Sequence, residues 1–251
     1  MEILSTIGIW KIIMGQNSNF KYKFIKYIVY TIISLFILLN LLLYGTYRYN
    51  ISQIDTTKIT QHKSYNYKND VYATYWATFA YSSDIEIKPF YTFDFPFALY
   101  TELTAKSMND RYNNSSLTLT HWLSSNTLSN SNGKEIKGNK HLLRTIYSIW
   151  MTHNLTAKEA MDIIFSKFFY ANGYFSLEEA SEGYFHKEVD ELSVYELLML
   201  HAIDHAPSRF NPRKHKERLL KRVNMLIKKA KMVFPKRYGE LEELSVLPEF
   251  F

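Results

Sequence analysis

Three carboxylates, Asp84, Glu86 and Asp94, stand among aromatic and isoleucine residues in the stretch YSSDIEIKPFYTFDF, residues 81–95. An apolar wall disfavours the ionised form of a carboxyl group and lifts its pKa towards neutrality, where it can trade protons with a substrate. The stretch therefore has the make-up of a general acid–base site. The plainer reading puts Asp84 and Glu86 at a helix cap or in solvent, where most surface carboxylates sit. A second constellation is His201 and His205, one helical turn apart (i, i+4). Two such imidazoles can share a metal ion, but no third ligand accompanies them at matching spacing, so they read as structural or solvated. The stretch FFYANGYF, residues 168–175, reads as core packing, with a sugar-stacking surface as the alternative. The 251 residues include no cysteine, which excludes disulfides, zinc–thiolate sites and a cysteine nucleophile. Neither a metal nor a cofactor is expected.

The elements that must position these groups begin with an apolar run. The 21 residues Tyr27–Tyr47 carry no charge and lie between Lys26 and Arg48. At the helical rise they span roughly 30 Å, the thickness of a bilayer's hydrocarbon core. Tyr27, Tyr30, Tyr44 and Tyr47 mark the ends, as interfacial aromatics do. A transmembrane helix is expected over residues 24–47. Lys11, Lys21, Lys23 and Lys26 precede it against a single Glu2, while Arg48 and Lys58 follow with Asp55 between. The positive-inside bias then places the N-terminus in the cytoplasm and residues 48–251 outside. Residues 1–23 form the cytoplasmic segment. Within it MEILSTIGIWKIIMG has apolar residues at helical spacing, which fits an interfacial helix or a contact with a partner's membrane helix.

Beyond the span, residues 48–70 read as a linker, 71–235 as a mainly α-helical domain and 236–251 as a tail. Asn154 or Thr156 can N-cap a helix whose Ala160, Ile163, Ile164, Phe168 and Phe169 share a face. Ser193 with Glu196 three positions on makes a capping box, and Pro207 stops the helix that follows. The stretch KERLLKRVNMLIKKAKMVF places Leu219, Leu220, Val223, Leu226, Ile227 and Ala230 on one face and bases on the other. The stretch SNTLSNSNGKEIKGNK, residues 125–140, reads as a loop. Between Arg213 and Arg237 there are 11 Lys or Arg against Glu217 alone, near +10 in a chain of net +6. Such a helix can meet anionic lipid head groups or an acidic partner, at about 1 kcal/mol per basic residue beside a charged surface. An ordinary solvated face is the alternative. Nucleic acid is not expected, since no binding motif accompanies the charge.

The stretch GYFSLEEASEGYFHKEVDELSVYELLMLHAIDHAPSRFNP resembles the last conserved stretch of the peptidoglycan glycosyltransferases, glycosyltransferase family 51, the polymerase domain of class A penicillin-binding proteins. That family writes y-G-i-x-x-A-a-x-x-Y-F-g-K, a Leu-(Ser/Thr)-x-x-Glu helix, and a-P-s-x-y-N-P. Ala180, Tyr184, Phe185, Lys187, Leu192, Ser193, Glu196, Pro207, Asn211 and Pro212 fall in register. Upstream, LTAKEAMDIIFSKFF is similar to the family's L-s-K-e-e-I-L-E-l-Y-L-N, with Ser166 at the final Asn. The resemblance covers residues 155–227 closely and reaches back, eroded, to about 73. It implies an all-α, lysozyme-like glycosyltransferase domain tethered by one N-terminal transmembrane helix.

The resemblance also implies a reaction: growth of glycan strands from lipid-linked disaccharide pyrophosphate at the outer membrane face. A carboxylate base takes the acceptor proton, and cationic help stabilises the departing pyrophosphate. The family carries its base in E-D-x-x-F-x-x-H-x-G-f-D. Registered on Phe93-Asp94, Asp84 takes the motif's Asp and Ser83 stands where the glutamate belongs, with Ile87, Phe90 and Thr92 at the Phe, His and Gly. The second motif, G-G-S-T-I-T-Q-Q-L-x-K-N, aligns with SSLTLTHWLSSN. Thr118, Thr120, Leu123 and Asn126 are kept, while Ser115-Ser116 replace the glycines, His121-Trp122 the glutamines and Ser125 the lysine. The third motif's second catalytic glutamate falls on Arg144, with Lys140 heading the row and Thr152 at a later Glu.

Serine and arginine cannot serve as bases near neutral pH, and one positioned base is worth roughly 10²–10⁴ in rate. The expectation is therefore a membrane-anchored, catalytically inactive relative, with no catalytic residue and Asp84, Thr118, Thr120, Asn126, Lys140 and Lys187 as binding candidates. It would act as a structural or interaction subunit of a bacterial cell-envelope assembly, single-pass in the inner membrane with its domain on the periplasmic side. Expected partners are the lipid bilayer, envelope proteins, and peptidoglycan or anionic lipid. The alternatives are an active transglycosylase with displaced acids, in which Glu86 or Asp84 reaches the acceptor, and a non-catalytic module binding glycan or lipid pyrophosphate.

Overall fold

The structure, a computed structural model, describes residues 18–60, 63–94, 100, 104, 114–128 and 139–248. The expected interfacial helix near the N-terminus lies outside these residues, as does most of the expected 125–140 loop. The chain divides into two compact units, Met1–Tyr49 and Asn50–Phe251.

The first unit is described through helix α1, Ser18–Ile51, which runs just past the boundary. Its segment Tyr22–Ile51 is long and apolar enough to cross a membrane, the only such segment among the described residues. Apolar side chains line its surface on all sides: Ile32, Leu35, Leu41 and Leu42 are each exposed by 60% or more. A helix apolar all round is stable only where something other than water surrounds it. Three of its polar side chains bond back within the helix. Thr31, Asn40 and Thr46 donate to the carbonyls of Tyr27, Phe36 and Leu42, each at 2.9 Å. Those bonds remove the cost of taking a hydroxyl or amide into hydrocarbon.

The second unit is helical: α2 Asn69–Phe79, α3 Ser115–Thr127, α4 Lys140–Asn154, α5 Ala157–Lys167, α6 Leu177–Phe185, α7 Val194–His205 and α8 Lys216–Val233. Helices α2, α7 and α8 pack on one another, α3 pairs with α4, and α5 touches α2, α3 and α6. Side-chain caps fix where most of them start. Asn114 accepts from Leu117 N–H, Asn139 from Leu142 N–H and Ser176 from Glu179 N–H. Thr156, not Asn154, caps α5, in a reciprocal box with Glu159, and Ser193 and Glu196 form the expected box on α7. Each such cap is worth about 1 kcal/mol.

Two segments differ from their sequence reading. Residues 48–70, expected to be a linker, put Ile54, Ile59 and Tyr65 into the core. Single apolar side chains without periodicity can plug gaps between helices, and that leaves no pattern to read. The expected tail also packs: Tyr238 is buried, and Leu241, Leu244 and Leu247 lie against the core. Asn224 of α8 holds Leu244 at both ends, donating to its carbonyl at 2.9 Å and accepting its N–H at 2.8 Å.

The corner between α6 and α7 is tied by Glu196. Its carboxylate accepts from Ser193 N–H (2.7 Å), Ser193 Oγ (2.8 Å) and Lys187 Nζ (2.7 Å). Burial alone would raise its pKa, but Lys187 and Ser193 outweigh it and hold the carboxyl below its ordinary range. A depressed carboxylate stabilises the fold fully above its unfolded pKa, and that contribution fades as pH falls through the folded value. In thermal unfolding followed by circular dichroism in detergent micelles, Glu196→Ala should cost about 2–3 kcal/mol at pH 7. Glu196→Gln should remove this residue's share of the acid destabilisation seen below about pH 4.5. His186 ends α6 in the left-handed region at φ 50°, where the resembled motif has glycine. His186→Gly should therefore raise stability, by about 1 kcal/mol or less, in the same measurement.

Candidate functional site

Residues 80–91 carry most of the first chemistry-bearing stretch and have no strand partner among the described residues, so their backbone N–H groups need other acceptors. Helix ends supply them. Tyr81 N–H donates to Ser115 Oγ and Lys88 N–H to Ser116 Oγ, both at 2.8 Å at the start of α3. Phe90 N–H donates to Thr152 Oγ1 at 3.0 Å, near the end of α4. His153 Nε2 lies 2.8 Å from Phe90 O, and Trp76 Nε1 donates to Ser82 O at 3.0 Å. The side chains of Ile87 and Phe90 are buried and anchor the segment. In the register of the resemblance Ser115, Ser116 and Thr152 would take the places of the glycine pair and a glutamate; here their hydroxyls accept backbone N–H groups.

The carboxylates of this stretch are not enclosed. Ser83, Asp84 and Glu86 are exposed, and Asp94 accepts Tyr91 N–H at 2.8 Å. Of the apolar neighbours that suggested a perturbed acid, Ile85, Tyr91 and Phe93 are themselves exposed, and only Ile87 and Phe90 turn into the core, so no apolar wall encloses the carboxylates.

Arg144 is half-buried on α4 beside His121 of α3. The His121 imidazole is held below its ordinary pKa by burial, then by Arg144 and His141. Thr120 is fully buried, its hydroxyl 2.8 Å from Ser116 O and 2.7 Å from Ser148 Oγ. Thr118 and Asn126 are exposed and bond back to their own helix, to Asn114 O and Trp122 O, each at 2.9 Å. Lys140 is exposed at the first residue of α4. The α3–α4 pair thus carries Thr118, Thr120, Asn126, Lys140 and Arg144, with Ser83 and Asp84 close in sequence to the Tyr81 tether on α3. Lys187 stands apart, bonded to Glu196.

Side chains from the start of α2 and the start of α5, with Ile85 and Arg237, line a hollow of about 490 Å³. Tyr67, Tyr72, Asn66, Asn69, Lys158 and Arg237 give it ring faces, amides and cations, the mixture that binds sugar hydroxyls.

Sequence reasoning missed a buried polar cluster behind α3. Asp204 Oδ1 lies 3.3 Å from His201 Nδ1, and both side chains are buried. His201 sits edge-on to Tyr75, Phe79 and Trp122, with ring centroids 4.6–5.9 Å apart. Burial pushes the Asp204 carboxyl well up, against the pull of Tyr75, Arg222 and Tyr170. Burial, then Arg222 and Lys229, pushes His201 well down. Burial thus favours the neutral form of each partner, and it keeps the pair from any solvent-borne hydroxyl. The available signal was an aspartate inside the apolar run LLMLHAIDHA. His201 and His205 have ring centroids 6.4 Å apart, and no group of three or more potential metal ligands occurs among the described residues.

The tether predicts a measurable local opening. Thr152→Val keeps the shape but leaves Phe90 N–H without its acceptor, at about 1–3 kcal/mol. Amide hydrogen exchange at Phe90 should then quicken at least tenfold while exchange in α6 and α7 changes far less.

Comparison with known proteins places these observations. The family model described as Transglycosylase matches residues 98–231, more than half of the chain. The chain is 29% identical over 110 residues to penicillin-binding protein 1A of Aquifex aeolicus (strain VF5), covering 44% of this chain and 14% of that protein. It is 26% identical over 93 residues to penicillin-binding protein 1A of Rickettsia bellii (strain RML369-C), covering 37% and 12%. For penicillin-binding protein 1A of Streptococcus oralis the figures are 26% over 94 residues, 36% and 15%. The matches thus span only about a seventh of these relatives' length. On that match, and in keeping with the helical second unit and the apolar N-terminal helix, the chain belongs to the transglycosylase family, glycosyltransferase family 51.

Proposed function

We propose that this chain is a membrane-anchored member of the transglycosylase family that does not polymerise glycan and serves as a structural or interaction subunit of a cell-envelope assembly. The reading rests on the motif register that puts Ser83 and Arg144 at the positions of the family's two catalytic glutamates, and on the exposure of Ser83 and the half-burial of Arg144. An exposed serine with no base at hand cannot take the acceptor proton, and a guanidinium stays protonated at any physiological pH. Asp84 and Glu86 are solvated on the exposed bend, and the buried Asp204 has no path to substrate. Family membership without these groups is a scaffold, because function resides in the site and not in the fold.

In this reading α1 crosses the inner membrane once, the lysine-rich side faces the cytoplasm and the helical domain lies on the periplasmic side. The bilayer and envelope proteins are its partners. The 490 Å³ hollow beside Ile85 favours a second reading, a module that still grips peptidoglycan without turnover.

The test uses the purified full chain in mild detergent with lipid-linked disaccharide. No polymer is expected, and polymer formation by the unaltered chain overturns the proposal in favour of displaced acids. Returning both carboxylates, Ser83→Glu with Arg144→Glu, is expected to lift turnover by at least 10², the worth of one positioned base. Sedimentation with isolated sacculi separates the two non-catalytic readings: retention lost on Tyr67→Ala supports the glycan-binding module, and no retention supports the pure scaffold.

A further inference from the structure

The corner where α7 gives way to α8 holds a hollow of about 370 Å³ that the transglycosylase reading does not use. None of its lining residues belongs to the 81–90 segment, α3 or α4. Four of them carry fixed positive charge: Arg209 from the turn after α7, and Arg218, Lys221 and Arg222 from the first turns of α8. Spacings of three and four residues put the last three on one helix face, so they converge rather than radiate. No aspartate or glutamate lines the hollow.

Clustered like charges repel, and the cost grows where water is partly excluded. Arg222 bears that cost here. It is half-buried, and its pKa is lowered by burial and by Arg209 against the opposing pull of Asp204. Its Nε is buried without a hydrogen-bond partner, and both carboxylate oxygens of Asp204 are likewise unbonded. The guanidinium is therefore not consumed by the acid behind it. A guanidinium on the wall that no carboxylate pairs, flanked by three more cations, matches the oxygens of a phosphate group. The walls add carbon. Arg209 lies over the ring of Phe210 at 5.6 Å, and Met225 on the rim is 60% exposed. That suits a phosphate joined to an organic group.

We propose that Arg209, Arg218, Lys221 and Arg222 form a phosphate-binding pocket, able to take a pyrophosphate or the phosphodiester of a lipid head group. The pocket stands whether or not the family's cleft turns over substrate. Its occupant neutralises the cluster and pins the 206–215 turn to α8.

Isothermal titration of the full chain in non-ionic detergent tests this with two probes, inorganic pyrophosphate and a short-chain phosphatidylglycerol in mixed micelles. Short-chain phosphatidylcholine serves as the zwitterionic reference. Saturable binding of either anionic probe is expected. The exposed pair Arg209→Gln with Lys221→Gln should weaken it at least tenfold, and the charge-matched pair Lys214→Gln with Lys236→Gln, outside the hollow, should leave it within twofold. Binding of pyrophosphate identifies the phosphate alone as sufficient; binding of the glycerophospholipid only identifies the lipid head group as the source. Equal losses in the two double variants reduce the effect to diffuse charge and overturn the pocket. So does the absence of binding by both probes.

Discussion

Helix α2 can exist only if everything around it fits, because every side chain from Val71 to Ala80 is buried. A helix buried on all sides must pack against several elements and find a partner for each polar group it carries inward. Tyr72 donates to Asp162 of α5 at 2.8 Å, and Thr74 meets Tyr238 at 3.0 Å. Tyr75 meets Tyr170 at 3.3 Å. The Thr78 carbonyl, at the end of the helix, accepts from Lys229 of α8 at 2.8 Å. Burial pulls that lysine's pKa down to about 8. These bonds draw α5, α8, the loop at 170 and the helical turn Pro235–Tyr238 onto one post. They also fix where residues 80–90 leave it, and so where the site begins.

The bonds that hold residues 80–90 are separable from the chemistry the family performs. Backbone acceptors at Ser115, Ser116 and Thr152 and apolar anchors at Ile87 and Phe90 keep the segment in place. None of these needs a carboxylate. A fold of this kind can keep its frame while the reacting groups change, since stability is carried by packing and satisfied backbone and not by the cleft's acids. The buried acids differ from one another in the same spirit. Asp162 accepts from Tyr65 N–H, Tyr72 and Lys158. Asp204, deep among rings, keeps both oxygens unbonded.

Much of the architecture was legible from local pattern. The capping box at Ser193 and Glu196, the apolar face of α8 and the uncharged run from Tyr27 to Tyr47 each state their element through short-range physics. Local cues were weaker where contacts decide. Asn154 and Thr156 are both good caps by type, and the position of Glu159 on the following turn selects Thr156. Ile54, Ile59 and Tyr65 follow no period, and only the gap they fill explains their burial. Asp84 and Glu86 keep apolar company in sequence and solvent in space, because residues 81–86 all lie on the surface and only Ile87 and Phe90 reach the core.

By itself, then, the sequence determined the helical class, the apolar N-terminal helix, the capping box at Ser193 and Glu196 and the family, all of which depend on residue type at fixed spacing. Tertiary structure alone decided which acids are dry, which hydroxyls hold the 81–90 segment, and that Arg209 converges with Arg222 across a turn. Those facts are set by distances between residues far apart in the chain, and such distances exist only once the entropy of closing the intervening loops has been overcome by the core.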